Sequence, residues 1–218
     1  MPDLEPADIL IHTGDFTFRG KQTEVIGQLN WLERQKSKFN HIIVTPGNHD
    51  FFYESNPDLA KAECESREII LLNEDEITID GIKFYGSPIT PFFHNWAFNR
   101  RAHEIEPHWA KIPDDTNVLL THGPPYGILD EVPRYERAIV GYDQHYRPIY
   151  SKKYLEAERV GCPELLERIG QLKGLKAHIF GHIHEGYGMI TKNGVIHVNA
   201  SYMDGDYKPL NKPIIIEI

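Results

Sequence analysis

Three polar side chains stand in a row at Asn48-His49-Asp50, directly after Pro46-Gly47. Asn48 offers a neutral amide oxygen, His49 an imidazole that titrates near neutrality, and Asp50 a carboxylate able to orient that imidazole. Three other places repeat the design: Gly14-Asp15, His122-Gly123 followed by two prolines, and Gly181-His182-Ile183-His184. Asp15, Asn48, His122, His182 and His184 together form a pool of hard and borderline donors suited to Mn, Fe, Zn or Mg. A polar turn residue taken by itself is more often a satisfied turn residue than a ligand. The fourfold repetition is what points to a shared site.

Each of these turns follows an apolar run, at residues 9–13, 41–45, 117–121 and 177–180. Such runs read as short buried strands, and the glycines and prolines after them read as stops. In α/β and layered folds ligands gather at the carboxyl ends of strands, so four strand endings of this kind belong at one rim.

Taken in order, GD (14–15), GNHD (47–50), THG (121–123) and GHIH (181–184) resemble the motifs of the calcineurin-like metallophosphoesterases, over nearly the whole chain. The texture of HTGDFT, GSPITPFFHNWAFN, THGPPYGILD and GHIHEGYG is most similar to the metallophosphoesterase domain-containing branch. The resemblance implies an α/β fold, a four-layer αββα sandwich of two mixed β-sheets flanked by helices. It implies a metal-dependent hydrolase acting on phosphodiesters, cyclic nucleotides or similar small diesters, by attack of a metal-activated water. Two divalent ions clamp phosphate oxygens and acidify the water they share. Carried over residue by residue, Asp15 bridges the ions, Asn48, His122 and His182 complete one of them, and His184 goes to the other. His49 is the general acid at the leaving oxygen, and Asp50 holds its ring.

Members of that family also carry an Asp-x-His motif upstream of GD, and none stands among the fourteen residues before Asp15. Asp8 and His12, four apart on one strand, would lie ~13 Å apart at ~3.3 Å per residue, too far to share an ion. The expectation is therefore a domain lacking the family's first strand, with one tight metal site and one weak or incomplete site. A second reading of function follows: a weakly active or non-catalytic member that binds a nucleotide or a protein partner.

The chain has 218 residues, 40% hydrophobic and 25% charged, which predicts a globular chain forming one domain over 1–218. Its formal net charge of −9 argues against a duplex nucleic acid partner but not against a small phosphate ester. Cys64 and Cys162 are too few for a disulfide scaffold and read as buried thiols in a reducing compartment. No apolar run approaches a membrane span and the N-terminus has no signal-peptide core, so the expectation is a cytoplasmic protein with no membrane partner.

Periodicity predicts helices over 21–38, 57–66 and from 163, with a further one opening near Asn99 and running through Ile105. Further strands are predicted at 69–72, 76–79, 82–85, 187–191, 194–198 and 213–218. Residues 86–101 read as a long loop, and Phe51-Phe52-Tyr53 as core filler or a cleft wall. Residues 126–160 have no clean period and read as an insertion covering the site or an interface, which leaves a homo-oligomer open.

Overall fold

The apolar runs become strands, and their order in the sheets explains how the turns meet. The structure, a computed structural model, describes residues 4–218. In chain order it contains β1 (Ala7–His12), α1 (Gln22–Glu33), β2 (Phe39–Val44), α2 (Phe51–Ser55), α3 (Pro57–Glu65) and β3 (Ile70–Leu71). Next come β4 (Asp75–Ile79), β5 (Ile82–Ser87), β6 (Thr90–Pro91), β7 (Asn99–Arg100), α4 (Ala102–Trp109) and β8 (Val118–Thr121). The chain continues with β9 (Glu131–Tyr142), β10 (Pro148–Arg159), α5 (Pro163–Gln171), β11 (Ala177–Phe180), a 3-10 turn at His184–Gly186, β12 (Gly188–Lys192) and β13 (Val195–Asn199).

One sheet is parallel, in the order β1-β2-β3. The other has six strands in the order β12-β13-β11-β8-β5-β4. Its inner neighbours β13, β11, β8 and β5 pair in parallel, and only the outer β12 and β4 are antiparallel. Parallel neighbours share the direction of their carboxyl ends. The turns after β1 and β2 thus leave one sheet together, and those after β8 and β11 leave the other together.

Strand alternation divides the core in two. Ile43 of β2, Phe84 of β5, Val118 and Leu120 of β8 and Ile179 of β11 form one cluster, with Ile9 and Ile11 of β1 packed on it, so the two sheets meet there. The intervening Ile42, Val44, Tyr85 and Leu119 instead join a cluster with Val25, Leu29 and Leu32 of α1 and Leu165 and Ile169 of α5. Each such side chain, fully buried, stabilises by ~1.5–3 kcal/mol. α5 opens as predicted, with Pro163 in its first turn and Glu164 beside it.

Several expectations are corrected. α1 stops at Glu33 rather than 38, because Leu32 is its last buried residue, and tight turns follow with Gln35 N–H donating to the Leu32 carbonyl at 2.8 Å. Asn99 lies in β7, and the helix opens only at Ala102. Within the expected loop 86–101, β6 and β7 pair in parallel. Phe51-Phe52-Tyr53, by contrast, begins a short helix whose Phe52 and Tyr53 are buried, which bears out the core-filler reading for those two. Residues 213–218 form no strand; Ile214 and Ile216 pack their side chains on the inter-sheet cluster, so their alternation reports burial rather than ladder pairing. Residues 131–159 form a long two-stranded ribbon. A ribbon wet on both faces leaves no apolar period in the sequence, which is why that reading found none.

Candidate metal centre

Gly14 and Asp15 leave β1 with positive φ, +105° and +57°. Glycine adopts that region freely and aspartate sparingly, so the turn holds Asp15 in a backbone state of limited population. Its Oδ1 accepts the His49 N–H at 2.9 Å and lies 3.3 Å from His122 Nε2. A Cβ on Gly47 would stand 2.4 Å from that same Oδ1 and 2.5 Å from His122 Cε1; one on Gly14 would stand 2.6 Å from Gly47 Cα. The two glycines let both turns and the His122 ring pack into contact.

His122 sits one residue past β8 and is buried. Its Nδ1 lies 2.8 Å from the Thr13 carbonyl oxygen, an acceptor, so Nδ1–H donates there. Nε2 then faces two oxygens, Asn48 Oδ1 at 2.8 Å and Asp15 Oδ1 at 3.3 Å. Burial pulls the His122 pKa down, but the Asp15 carboxylate, with the Thr13 carbonyl and the Asp50 charge, more than offsets it and the net shift is upward. A ring nitrogen between two oxygen acceptors calls for positive charge, either a proton on Nε2 or a cation in front of it.

His182 supplies a third donor. Asp15, His122 and His182 present ligand atoms that all lie within 4.8 Å of one another. Burial, reinforced by the neighbouring His122, pulls His182 down to about 3, which keeps its lone pair free of a proton. Burial would raise the Asp15 carboxyl, but His122 and His182 hold it well below the usual carboxylate range. One carboxylate, one amide oxygen and two imidazoles, converging on a point that already requires positive charge, fit a divalent ion.

His184 stands apart from this group. β11 ends at Phe180, His182 has φ +69°, and His184 opens the 3-10 turn, so the two-residue period of a strand does not relate the two histidines as expected. Nδ1 of His184 lies 3.2 Å from the Asp204 carbonyl oxygen, and its ring packs on Tyr207. His12 is also close by, with Nδ1 accepting the Gly14 N–H at 3.2 Å and burial pulling it down to about 4.

His49 Nδ1 lies 3.0 Å from the Phe18 carbonyl oxygen, so Nδ1–H donates there and Nε2 is the ring nitrogen left for proton transfer. Its ring lies 4.2 Å, centroid to centroid, from that of Trp96. The Ala97 N–H bonds the Asn48 carbonyl at 3.0 Å and fixes the 86–101 segment against this turn. The expected contact between Asp50 and His49 is not formed. Asp50 is fully buried and its carboxylate accepts the N–H groups of Gly47, Phe16 and Thr17 at 2.7, 3.2 and 3.0 Å, with the Thr17 hydroxyl at 2.9 Å. Burial, then the Asp15 charge, pushes Asp50 up to about 6 against those donors. Asp50 therefore ties the turn after β1 to the turn after β2, and the backbone of Phe18 orients His49. Any residue offers a carbonyl, so no sequence signal marked Phe18; Trp96 lay within a segment whose prolines and aromatics did mark it.

A profile of calcineurin-like phosphoesterases matches residues 1–186. The chain belongs to the calcineurin-like phosphoesterase family. Among curated phosphoesterase relatives it is 34% identical over 233 residues to metallophosphoesterase domain-containing protein 1 of Homo sapiens, and equally to that of Mus musculus. Those matches cover 97% of this chain and 64% of the relative, so the chain spans under two thirds of their length. A UPF0046 protein of Caenorhabditis elegans is 28% identical over 97% of this chain and 68% of its own. Among solved structures, TT1561 of Thermus thermophilus is similar in fold at a TM-score of 0.51 and 13% identity, over 89% of this chain and 77% of that one. Among the described residues, no helix of this chain is long and apolar enough to cross a membrane.

Proposed function

We propose that the chain is a divalent-metal-dependent phosphoesterase that hydrolyses small phosphodiesters such as cyclic nucleotides, with manganese as a working ion. The observation that carries this reading is the convergence of Asp15, Asn48, His122 and His182 on one point beside His49. Those four residues would hold one ion tightly, and His184 with Asp15 would hold a second weakly. Bound ions supply charge to offset the phosphate and a water acidic enough to attack near neutrality. His49 does the proton work: its Nδ1–H is committed to the Phe18 carbonyl, so proton transfer at the leaving oxygen falls to Nε2. Asp50 acts by fixing the two turns. Two facing sheets with helices packed behind each support the four-layer αββα reading within one domain.

Chain stripped by chelator and reloaded with Mn²⁺ should hydrolyse bis(4-nitrophenyl) phosphate, with metal per chain measured on the same sample. Loaded chain with no turnover at millimolar Mn²⁺ would overturn the enzymatic reading. One observation favours the second reading, a nucleotide- or protein-binding member with little turnover: His184 is held against the Asp204 carbonyl, outside the group of three. Tight nucleotide binding without hydrolysis is its signature.

A further inference from the structure

We propose that the ribbon of β9 and β10 is an arm that clasps a second copy of this chain. Every residue from 134 to 140 and from 152 to 160 is exposed, so both faces of the ribbon are in water. Two strands without a packed face are at best marginally stable in water. This ribbon is nevertheless well built. Asp143 closes the tip by accepting the His145 and Arg147 N–H groups at 2.8 and 3.0 Å. The buried Asp130 carboxylate anchors the root by accepting the Gly127 and Gly161 N–H groups at 2.9 and 3.1 Å. The root also abuts the active-site rim, since Asn199 Nδ2 donates to both the Leu129 and the Ile183 carbonyls.

The two faces differ. Opposed residues of antiparallel strands share a face, and the register pairs Tyr135 with Tyr154, Arg137 with Lys152 and Ile139 with Tyr150. That face carries three tyrosines, an isoleucine and two cations. The other pairs Glu136 with Lys153 and Ala138 with Ser151, and closes with an Arg134–Glu158 ion pair. Its charges are balanced.

Charge selects the occupant. Between Glu131 and Arg159 there are six basic and five acidic side chains, a net +1 in a chain of net −9, which leaves −10 on the rest. Two aromatic faces stacked on each other would set Arg137 and Lys152 against their own copies, so that packing is opposed. The same face laid on the acidic body of a second copy is attracted, and reciprocal exchange closes a two-fold dimer. Area agrees. Tyr135, Tyr150 and Tyr154 are 50%, 54% and 56% exposed and Ile139 53%. They amount to roughly 350 Å² per arm. Two arms, each covering an equal area of its partner, come to about 1,400 Å², within the ~1,200–2,000 Å² of stable specific interfaces.

Sedimentation equilibrium of the full chain, from 1 to 100 μM and from 0.05 to 0.5 M NaCl, tests the proposal. The expected result is a dimer at micromolar concentration that weakens as salt rises. Arg137→Glu with Lys152→Glu should raise the dimer dissociation constant at least tenfold and lower the thermal midpoint only through the lost association, by an amount that grows with chain concentration. A shortened arm in which Asn-Gly joins Tyr135 to Tyr154 should be monomeric. A wild-type monomer at 100 μM, or a dimer that survives both changes, overturns the proposal. So does a monomer that captures a labelled single-stranded oligonucleotide and loses it in the double variant, which would assign the arm to nucleic acid.

Discussion

His49 is the residue whose neighbours most narrow what it can do. A histidine beside a phosphate has two uses, charge for the phosphate or a proton for the leaving oxygen. The Phe18 carbonyl commits Nδ1, so one nitrogen remains. His49→Ala should lower turnover of diesters with poor leaving groups by ~10²–10⁴ while metal content stays at the wild-type level. Substrates with good leaving groups, which need little protonation, should lose less. An equal loss across a series of aryl leaving groups would assign His49 to phosphate binding instead. At this scale the donor residues that meet were legible in the sequence, because Asp15, Asn48, His122 and His182 each follow a strand and do converge. The partner of Asp50 was not. Chain adjacency suggested His49, but residue 50 stands just before a helix and turns inward, where backbone N–H groups of the other turn await it.

Elements set how closely those residues approach. Gly47 sits where the turns after β1 and β2 touch, and a methyl group there would stand 2.4 Å from the Asp15 backbone nitrogen as well as from its carboxylate. Neither can yield without moving His122. Gly47→Ala should destabilise by ~1–3 kcal/mol, the usual range for overpacking, and reduce metal per chain; wild-type melting with full metal would show that the turns have slack. The pairing of β8 with β11 makes a different prediction. The Thr121 hydroxyl donates to the Gly123 carbonyl at 2.7 Å, so the bond between it and His178 at 2.8 Å must be donated by Nε2–H. His178 Nδ1 is buried and bare, and burial, with His197 nearby, holds its pKa well below 6.5. Below pH 6.5 the unfolded chain therefore binds a proton that the fold refuses. Stability from this group is complete above 6.5 and falls by up to ~1.4 kcal/mol per pH unit below it. Denaturant melts at pH 7 and pH 5 should show wild type losing roughly 2 kcal/mol more than His178→Gln; parallel losses would refute the assignment. Strands and helices with one apolar face were legible, down to the ends of β11 at Ala177 and Phe180. The β9–β10 ribbon was not, because a pattern of burial cannot announce an element that is not buried.

At the scale of the whole molecule, the three-stranded and the six-stranded sheet bring strand ends to a common point. Asp15 and Asn48 follow strands of the three-stranded sheet, while His122 and His182 follow strands of the six-stranded one. An ion held by all four would therefore cross-link the sheets at their rim, beyond the apolar layer that joins them. The rim sets a buried imidazole against two oxygens, an arrangement that positive charge satisfies. Binding to the folded state alone stabilises it by RT ln(1 + [L]/Kd), ~2.7 kcal/mol at a hundredfold excess over Kd. For a chain of this size each kcal/mol moves the thermal midpoint by ~2–4 °C, so saturating Mn²⁺ should raise it by roughly 5–10 °C over chelator-treated protein. His122→Ala takes away the nitrogen on which the oxygens converge. That variant should melt below wild type without metal, since the Thr13 carbonyl loses its donor at a cost of ~1–3 kcal/mol. More tellingly, its midpoint should no longer respond to Mn²⁺. Differential scanning calorimetry across a metal titration separates the two effects, the first at zero metal and the second in the slope. A His122→Ala chain whose midpoint climbs with Mn²⁺ as steeply as wild type would remove His122 from the ligand set and, with it, the cross-link between the sheets.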